Sequence, residues 1–424
     1  MNPLPRNVLP DTAAVLSDGS LAIGGVPLLD VAAQYGTPVF VYDEQHLRNR
    51  CREAVESFGA NRVVYATKAF LCKAMARLAH EEGLMLDVAT AGELYVALSA
   101  GVPADRCVFH GNNKSLAELR YAIASGVHHI NVDSFDELDR LETLASEGPG
   151  KPRIALRITP GVEAHTHEFI ATGQDDSKFG FNLGNGDALR AVTRAQRSSA
   201  VELIGLHCHI GSNVFAASSF ARAAEVMAGF AAPFDLPELT LGGGLGVAYV
   251  GGEEAPTISE WARVLLDACR SLGVRSAVNV EPGRSIVANA AVTLYTVGTI
   301  KQIPGVRTYV AVDGGMSDNA RPILYGSGYE AFLPRAVLGD RSDRVRLVGK
   351  HCESGDILIN DAAVPSDLRV GDVLATPVTG AYGYSMSSNY NMVTRPPVVF
   401  VRNGESRLVV RRQELADLVA LDID

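Results

Sequence analysis

The sequence predicts an α/β protein built as a (β/α)8 TIM-type barrel with a C-terminal antiparallel β domain. Three observations carry this expectation. Between about residues 60 and 285, eight short apolar runs rich in β-branched residues alternate with stretches of 3.6-residue periodicity, and eight parallel strands close a barrel. The residues just past most of these runs are polar or glycine, as they are where a barrel gathers its reactive groups at the C-terminal strand ends. Beyond about residue 290 the helical periodicity stops and only strand-like runs remain.

Taken in order, the first forty residues contain strand-like runs at 21–26 and 38–42 that are expected to pair with the C-terminal domain. The expected division is an N-terminal segment 1–40, a barrel 41–290 and a β domain 291–424. The barrel runs fall at 62–67, 84–88, 106–110, 129–132, 153–158, 203–207, 238–241 and 277–280, each with an apolar centre suited to burial on both faces. Helical periodicity is clearest at 74–81, 116–124 and 261–272. Ser115 and Ser134 occupy N-cap positions, and Gly83, Gly126 and Gly273 stand where helices end. The connection 159–185 is polar and too long for a plain turn, and long barrel loops are usually functional. The β domain is expected to use runs at 292–300, 308–312, 344–348, 373–377, 398–402 and 406–411.

Composition narrows the class. The chain has 424 residues, 47% hydrophobic and 20% charged, enough for two well-packed domains. With 38 Lys and Arg against 48 Asp and Glu, the net charge of -10 disfavours nucleic acid and anionic membrane as partners. The six cysteines, Cys51, Cys72, Cys107, Cys208, Cys269 and Cys352, show no C-x-x-C pairing, so neither a disulfide framework nor a zinc site is expected. The N-terminus does not read as a signal peptide and no run has transmembrane length, so a cytoplasmic protein is expected.

The strand-end residues suggest the chemistry. Run one ends in Lys68, run two in Asp87, run three in His110, run four in Asp133 and run six in His207 and His209. Run seven leads into Gly242-Gly243-Gly244, and run eight into Glu281-Pro282-Gly283-Arg284. A glycine turn after strand seven and a Gly-Arg turn after strand eight form a favoured barrel phosphate site, because bare backbone N–H groups approach the anion closely. A lysine on strand one facing that phosphate can condense with an aldehyde, which favours pyridoxal 5'-phosphate over a sugar phosphate.

These residues resemble the alanine-racemase-like, fold type III pyridoxal-phosphate decarboxylases, and within them the branch acting on diaminopimelate. The most specific blocks are Tyr65-Ala66-Thr67-Lys68-Ala69, His207-Cys208-His209-Ile210-Gly211-Ser212, Glu281-Pro282-Gly283-Arg284, Cys352-Glu353-Ser354-Gly355-Asp356 and Gly380-Ala381-Tyr382-Gly383, and the resemblance covers nearly the whole chain. It implies that Lys68 holds the cofactor as a Schiff base and later transfers protons. It implies that His209 stacks on the ring and that Ser212, Gly244, Gly283, Arg284 and Tyr382 bind the phosphate. Glu281 would keep the pyridine nitrogen protonated, so that the ring accepts the electrons left by carbon dioxide.

Arg321 and Tyr325 match the positions that take the distal end of diaminopimelate, where a guanidinium suits a carboxylate. Glu353 would take the distal ammonium, and Arg284 and Tyr382 also reach the substrate. Cys352 joins Lys68 and His209 as a catalytic residue. The family assembles as homodimers in which Cys352 and Glu353 serve the partner subunit's site, so a homodimer with shared sites is implied. The implied reaction is meso-2,6-diaminopimelate to L-lysine and carbon dioxide, the last step of lysine biosynthesis. The loop 165–173 with Ser177-Lys178-Phe179-Gly180 matches the family's lid, and Asn213 stands where glutamine is commoner.

Blander readings stand beside these. Asp87 and Glu93 could cap a helix or pair with Lys68, and His110, His128, His129, His207 and His351 could be packed or hydrogen-bonded. Apart from Cys352, the cysteines read as structural. Rival functions are decarboxylation of another amino acid with a polar distal end, and non-catalytic pyridoxal-phosphate binding. A metalloenzyme is disfavoured, since no H-E-x-x-H or comparable ligand spacing occurs.

Overall fold

A computed structural model describes residues 4–148, 151–162 and 175–423. The chain forms two compact units, one of Arg50–Gly246 with Ala255–Ser285, the other of Met1–Asn49, Val247–Glu254 and Ile286–Asp424.

The first unit is the barrel. Its strands are β1 (Val64–Ala66), β2 (Met85–Val88), β3 (Cys107–Phe109), β4 (His129–Val132), β5 (Arg153–Thr159), β6 (Glu202–His207), β7 (Glu238–Thr240) and β8 (Ala277–Asn279). They pair in sequence order, every neighbour parallel. A parallel bridge between Val63 and Val280 joins β8 to β1, with Val64 N donating to Val280 O at 2.9 Å and Ala66 N to Pro282 O at 3.0 Å. The eight runs read from the sequence are these eight strands. Phe181–Asn182 adds a short parallel strand to β5.

The helices obey the local signals. Ser115 caps helix Leu116–Ser125 in a reciprocal capping box with Glu118, and Ser134 accepts from Glu137 N at the start of Phe135–Glu147. Gly126, at φ 78, ends its helix in the left-handed region that a Cβ disfavours. The expected lid segment 165–173 lies outside the described residues.

The second unit is a β unit whose larger sheet runs in the order Ile357–Val364, Asp343–Val348, Arg307–Val312, Ala291–Ile303, Val39–Asp43, Val398–Arg402, Glu405–Val410, with Val373–Pro377 also paired to Ala291–Ile303. This corrects the expected antiparallel domain: the sheet is mixed. Arg307–Val312 is parallel to Asp343–Val348, and Val39–Asp43 is parallel to Val398–Arg402. Parallel neighbours need a long crossover, and residues 313–342 supply one while residues 44–397, the barrel and most of the β unit, supply the other.

The run 38–42 thus enters the large sheet, while 21–26 does not. It breaks at Gly24 and Gly25, both at positive φ, into the hairpin Leu21–Ile23/Val26–Pro27, which with Ala14–Val15 makes a separate antiparallel sheet. The strand Ile357–Val364 was not anticipated, because Asn360 and Asp361 interrupt its apolar pattern and are exposed. The core of this unit gathers Val39, Val41, Val292, Leu294, Val399 and Val401 around Leu28, Val31 and Phe332.

Candidate active site

Lys68 follows β1 in a short 3-10 turn between buried Thr67 and Ala69, and its side chain is exposed. Thr67 fixes the turn by donating to Asp87 O at 2.7 Å. Among the described residues the Lys68 amine makes no hydrogen bond or ion pair, while its charge bears on Asp87, Glu93 and His209. An accessible primary amine in a polar setting is what condensation with an aldehyde requires.

Glu281, 7% exposed, directly follows the β8 edge, and its backbone N donates to Gly242 O at 2.7 Å. Its Oε2 accepts from His207 Nε2 at 2.8 Å, and its Oε1 lies 3.1 Å from His110 Nε2. That close imidazole–carboxylate contact lacks hydrogen-bond geometry, which leaves Oε1 a buried carboxylate oxygen with His110 beside it and no directed donor. His110 in turn lies 3.7 Å from Asp87 Oδ1 and 2.8 Å from Asn131 Nδ2.

Burial disfavours every charge here, and the neighbours decide the outcome. Burial opposes protonation of His110, but the Asp87 and Glu281 carboxylates outweigh it and raise its pKa. His207 is pushed below its usual value by burial, with Glu281 only partly offsetting this, so it faces Glu281 as a neutral N–H donor. Burial likewise opposes ionisation of Glu281, yet the imidazoles hold its carboxyl well below the ordinary range. Asp87 is raised by burial. His209, half-buried, is held neutral by burial and by the Lys68 charge.

The anion end is built from glycine. A Cβ on Gly243 would lie 1.9 Å from Glu281 O, one on Gly244 2.0 Å from Gly211 O and one on Gly242 2.5 Å from Cys208 O. Gly244 sits at φ 107 and Gly242 at φ 63. The loops after β6 and β7 are laced together, Val214 N donating to Gly244 O at 2.8 Å and Gly246 N to Val214 O at 2.9 Å. Gly243 N donates to His209 Nδ1 at 3.3 Å, which orients that ring. Arg284 Nη2 donates to Ser212 Oγ at 2.8 Å, and Gly283 packs against Ala66 and Ala69. Asn213, at φ 62, closes the turn in a region where asparagine is tolerated.

Pyridoxal phosphate fits these residues: a glycine cradle with a serine and an arginine for the phosphate, an accessible amine, and a buried unsatisfied carboxylate oxygen for a protonated ring nitrogen.

The β unit holds the other expected residues. Arg321 is 4% exposed at the start of the helical turn Arg321–Tyr325. Its Nη1 donates to Tyr329 Oη at 3.1 Å and its Nη2 to Ser327 Oγ at 3.0 Å, and its guanidinium lies 4.3 Å above the Tyr249 ring. Among the described residues no carboxylate pairs with it. Tyr382, at φ 59, bears on its charge, and Tyr325 is half-buried one turn further on. Cys352 and Glu353 are exposed in the turn between Asp343–Val348 and Ile357–Val364. The turn is anchored by Asp356, which accepts from His351 N at 2.8 Å and Met316 N at 2.7 Å, and by Cys352 N donating to Asn391 Oδ1 at 3.3 Å.

Sequence reasoning passed over Arg157 and Asn131. Arg157, on β5, stands 3.7 Å from Asp133 and 4.2 Å above the Phe179 ring, and its charge bears on His110, His207 and His209. The available signal was an arginine inside an otherwise apolar strand, which a barrel interior admits only with partners. A second histidine–carboxylate cluster, His128, His129 and Glu238, lies at the N-terminal ends of β4 and β7. There the Arg153 guanidinium already faces His128 Nε2 at 3.4 Å and Glu238 Oε1 at 3.8 Å, so a cation is supplied by the chain itself.

Comparison with known proteins agrees with this geometry. Residues 44–288 match the family model for the pyridoxal-dependent decarboxylases, pyridoxal binding domain. The chain is 47% identical to a diaminopimelate decarboxylase of Corynebacterium efficiens, with 100% of this chain and 95% of that one covered. It is also 47% identical to that of Bacillus subtilis, with 96% and 95% covered. The crystal structure of the M. jannaschii diaminopimelate decarboxylase in complex with L-lysine superposes with a TM-score of 0.90 at 32% identity, 98% of each chain being covered. With these matches over its full length, the chain belongs to the pyridoxal-dependent decarboxylases, and within them to the diaminopimelate decarboxylase family.

Proposed function

We propose that the protein decarboxylates meso-2,6-diaminopimelate to L-lysine and carbon dioxide. The observation that carries the substrate is Arg321, a buried guanidinium with no carboxylate partner among the described residues. A buried charge is costly without a counter-ion, and the distal carboxylate of diaminopimelate is one that ornithine and lysine lack.

When bound, pyridoxal phosphate supplies an aldehyde for the substrate amine and a ring that takes up the electron pair released with carbon dioxide. Gly244, Gly283, Arg284, Ser212 and Tyr382 would bind its phosphate, and His209 would stack on its ring. Glu281 would hold a proton at the ring nitrogen through Oε1, with His207 fixing the carboxylate through Oε2. Lys68 would bind the aldehyde and, once displaced by the substrate amine, would help deliver the one proton that replaces the departing carboxylate at the α-carbon. Arg321 and Tyr325 receive the distal carboxylate, and Glu353 the distal ammonium.

The exposed Cys352 and Glu353 support a homodimer in which these two complete the partner's site. The protein acts in the cytoplasm: among the described residues no disulfide is formed, and no helix is long and apolar enough to cross a membrane. Purified protein supplied with pyridoxal phosphate and meso-diaminopimelate is expected to yield carbon dioxide and lysine in equal amounts, and absence of both products overturns the assignment. Mixing Lys68→Ala and Cys352→Ala proteins, each inactive alone, is expected to restore about a quarter of native activity by subunit exchange. No recovery after verified exchange removes the shared-site reading.

A further inference from the structure

We propose that the buried Lys114–Glu137 pair is a positioning element of the cofactor site, fixing the ends of β3 and β4 so that His110 and Asn131 meet Glu281. The proposal rests on the reading of Glu281 as the partner of the ring nitrogen.

Lys114 is 2% exposed and Glu137 1%. Lys114 Nζ donates to Gly111 O at 2.7 Å, Asn131 O at 2.6 Å and Glu137 Oε1 at 2.7 Å. Three acceptors match the three N–H bonds of an ammonium with Glu137 as its counter-ion, while burial lowers the Lys114 pKa and raises that of Glu137, each offset by the other's charge. The other oxygen, Glu137 Oε2, accepts from Asp133 N at 3.0 Å. Glu137 is itself pinned in the first turn of its helix, its N donating to Ser134 Oγ at 3.2 Å, and Arg140 Nη1 holds Lys114 O at 3.1 Å.

One ion pair therefore grips the backbone at Gly111, one residue past His110, and at Asn131 and Asp133 on the neighbouring strand. Gly111 is at φ 118, where a Cβ would lie 3.0 Å from Ala89 O, so the turn after His110 is tightly shaped. Between the gripped segments stands the contact chain Asn131–His110–Glu281, with spacings of 2.8 and 3.1 Å. The other charged or titratable groups bearing on His110 are Asp87, His207, whose ring centroid is 5.2 Å away, His129 and Arg157.

Stability alone is a poor reason for such a pair. Buried ion pairs are often replaceable by apolar residues at no cost, because desolvation consumes most of the Coulomb gain. What an apolar pair lacks is four directed bonds, three to backbone groups on two neighbouring segments and one between the two side chains. Those bonds set where His110 sits, and His110 is the imidazole beside Glu281 whose pKa the Asp87 and Glu281 carboxylates raise.

The test uses the full-length holoenzyme, with the cofactor-free protein alongside. The double variant Lys114→Met/Glu137→Leu is expected to keep a wild-type melting temperature. Its kcat on diaminopimelate should fall on the order of 10- to 100-fold, as a misplacement of about 1 Å costs, with KM little changed. The His110 titration, followed by NMR in the cofactor-free protein, should move down, because the imidazole separates from Asp87 and Glu281. Glu137→Gln, which removes the counter-ion and turns an amide NH2 towards Lys114 Nζ or Asp133 N, should shift both readouts in the same direction as the double variant. A folded double variant with wild-type His110 titration and wild-type kcat overturns the proposal. If the double variant does not fold, Lys114→Arg replaces it: its planar fork cannot meet all three acceptors, so an unchanged titration is again contradictory. Should the wild type fail to decarboxylate diaminopimelate, the function is lost, while the titration arm still decides the positioning role.

Discussion

Replacing Arg321 by methionine separates substrate recognition from stability. The guanidinium gives two N–H donors to Tyr329 and Ser327 and stacks over Tyr249 at 4.3 Å, yet no carboxylate among the described residues offsets its burial. Removing it forfeits a cation–π contact of about 0.5–2 kcal/mol and two modest hydrogen bonds. It also relieves the desolvation of an unpaired charge, so the net change in stability should be small or favourable. The substrate loses far more. Truncating one partner of a buried, hydrogen-bonded charge pair costs roughly 2–5 kcal/mol, about 30- to 5000-fold in kcat/KM. The assay is steady-state carbon dioxide release from meso-diaminopimelate, with cofactor affinity and melting temperature measured on the same preparation. Expected are a loss within that range, unchanged cofactor affinity and an unchanged or higher melting temperature. Equal losses of cofactor and substrate binding, or no loss of kcat/KM, refute the reasoning.

Glu281→Gln removes the carboxylate facing the ring nitrogen, and kcat should fall on the order of 100-fold in single-turnover carbon dioxide release, with cofactor still bound. Gly243→Ala places a Cβ 1.9 Å from Glu281 O, so the β7 and β8 loops must part; overpacking of about 1–3 kcal/mol should show as loss of cofactor absorbance on gel filtration. Acid stability should depend on His128, whose pKa falls from 6.5 to about 4 through burial and then the Arg153 charge. A depressed histidine stabilises the fold above pH ~6.5, and that contribution fades as pH falls toward 4. Its ceiling is about 3 kcal/mol, which solvent screening reduces to about 1 kcal/mol. Urea unfolding of His128→Gln at pH 7.5 and 4.5 should therefore show a smaller difference than wild type, and an equal difference removes this group as a cause.

The barrel was legible because strands buried on both faces must be continuous apolar runs, and polar groups could then stand only at their ends. Lys68, Asp87, His110, His207 and Glu281 stand at those ends. Sheet polarity was not legible. A strand's side-chain alternation is the same beside a parallel or an antiparallel neighbour, so Val398–Arg402 gave no sign of pairing parallel to Val39–Asp43. The sequence-based account also left His110 and His207 as individually more suited to packing than to chemistry. Their value lies in a shared partner 74 residues beyond His207, which no local pattern records. Lys114 and Glu137 were invisible for the opposite reason. A lysine before an N-cap and a glutamate in a first helical turn look like ordinary surface positions, and only the third dimension buries them.

The measurement that bears most directly on the whole account is carbon dioxide release from meso-diaminopimelate, lysine, ornithine and arginine in parallel, by purified protein loaded with pyridoxal phosphate. The buried, carboxylate-seeking Arg321 predicts release from diaminopimelate alone, with lysine as the product. Comparable release from ornithine or lysine, or release from none of the four by a protein that holds the cofactor, contradicts it.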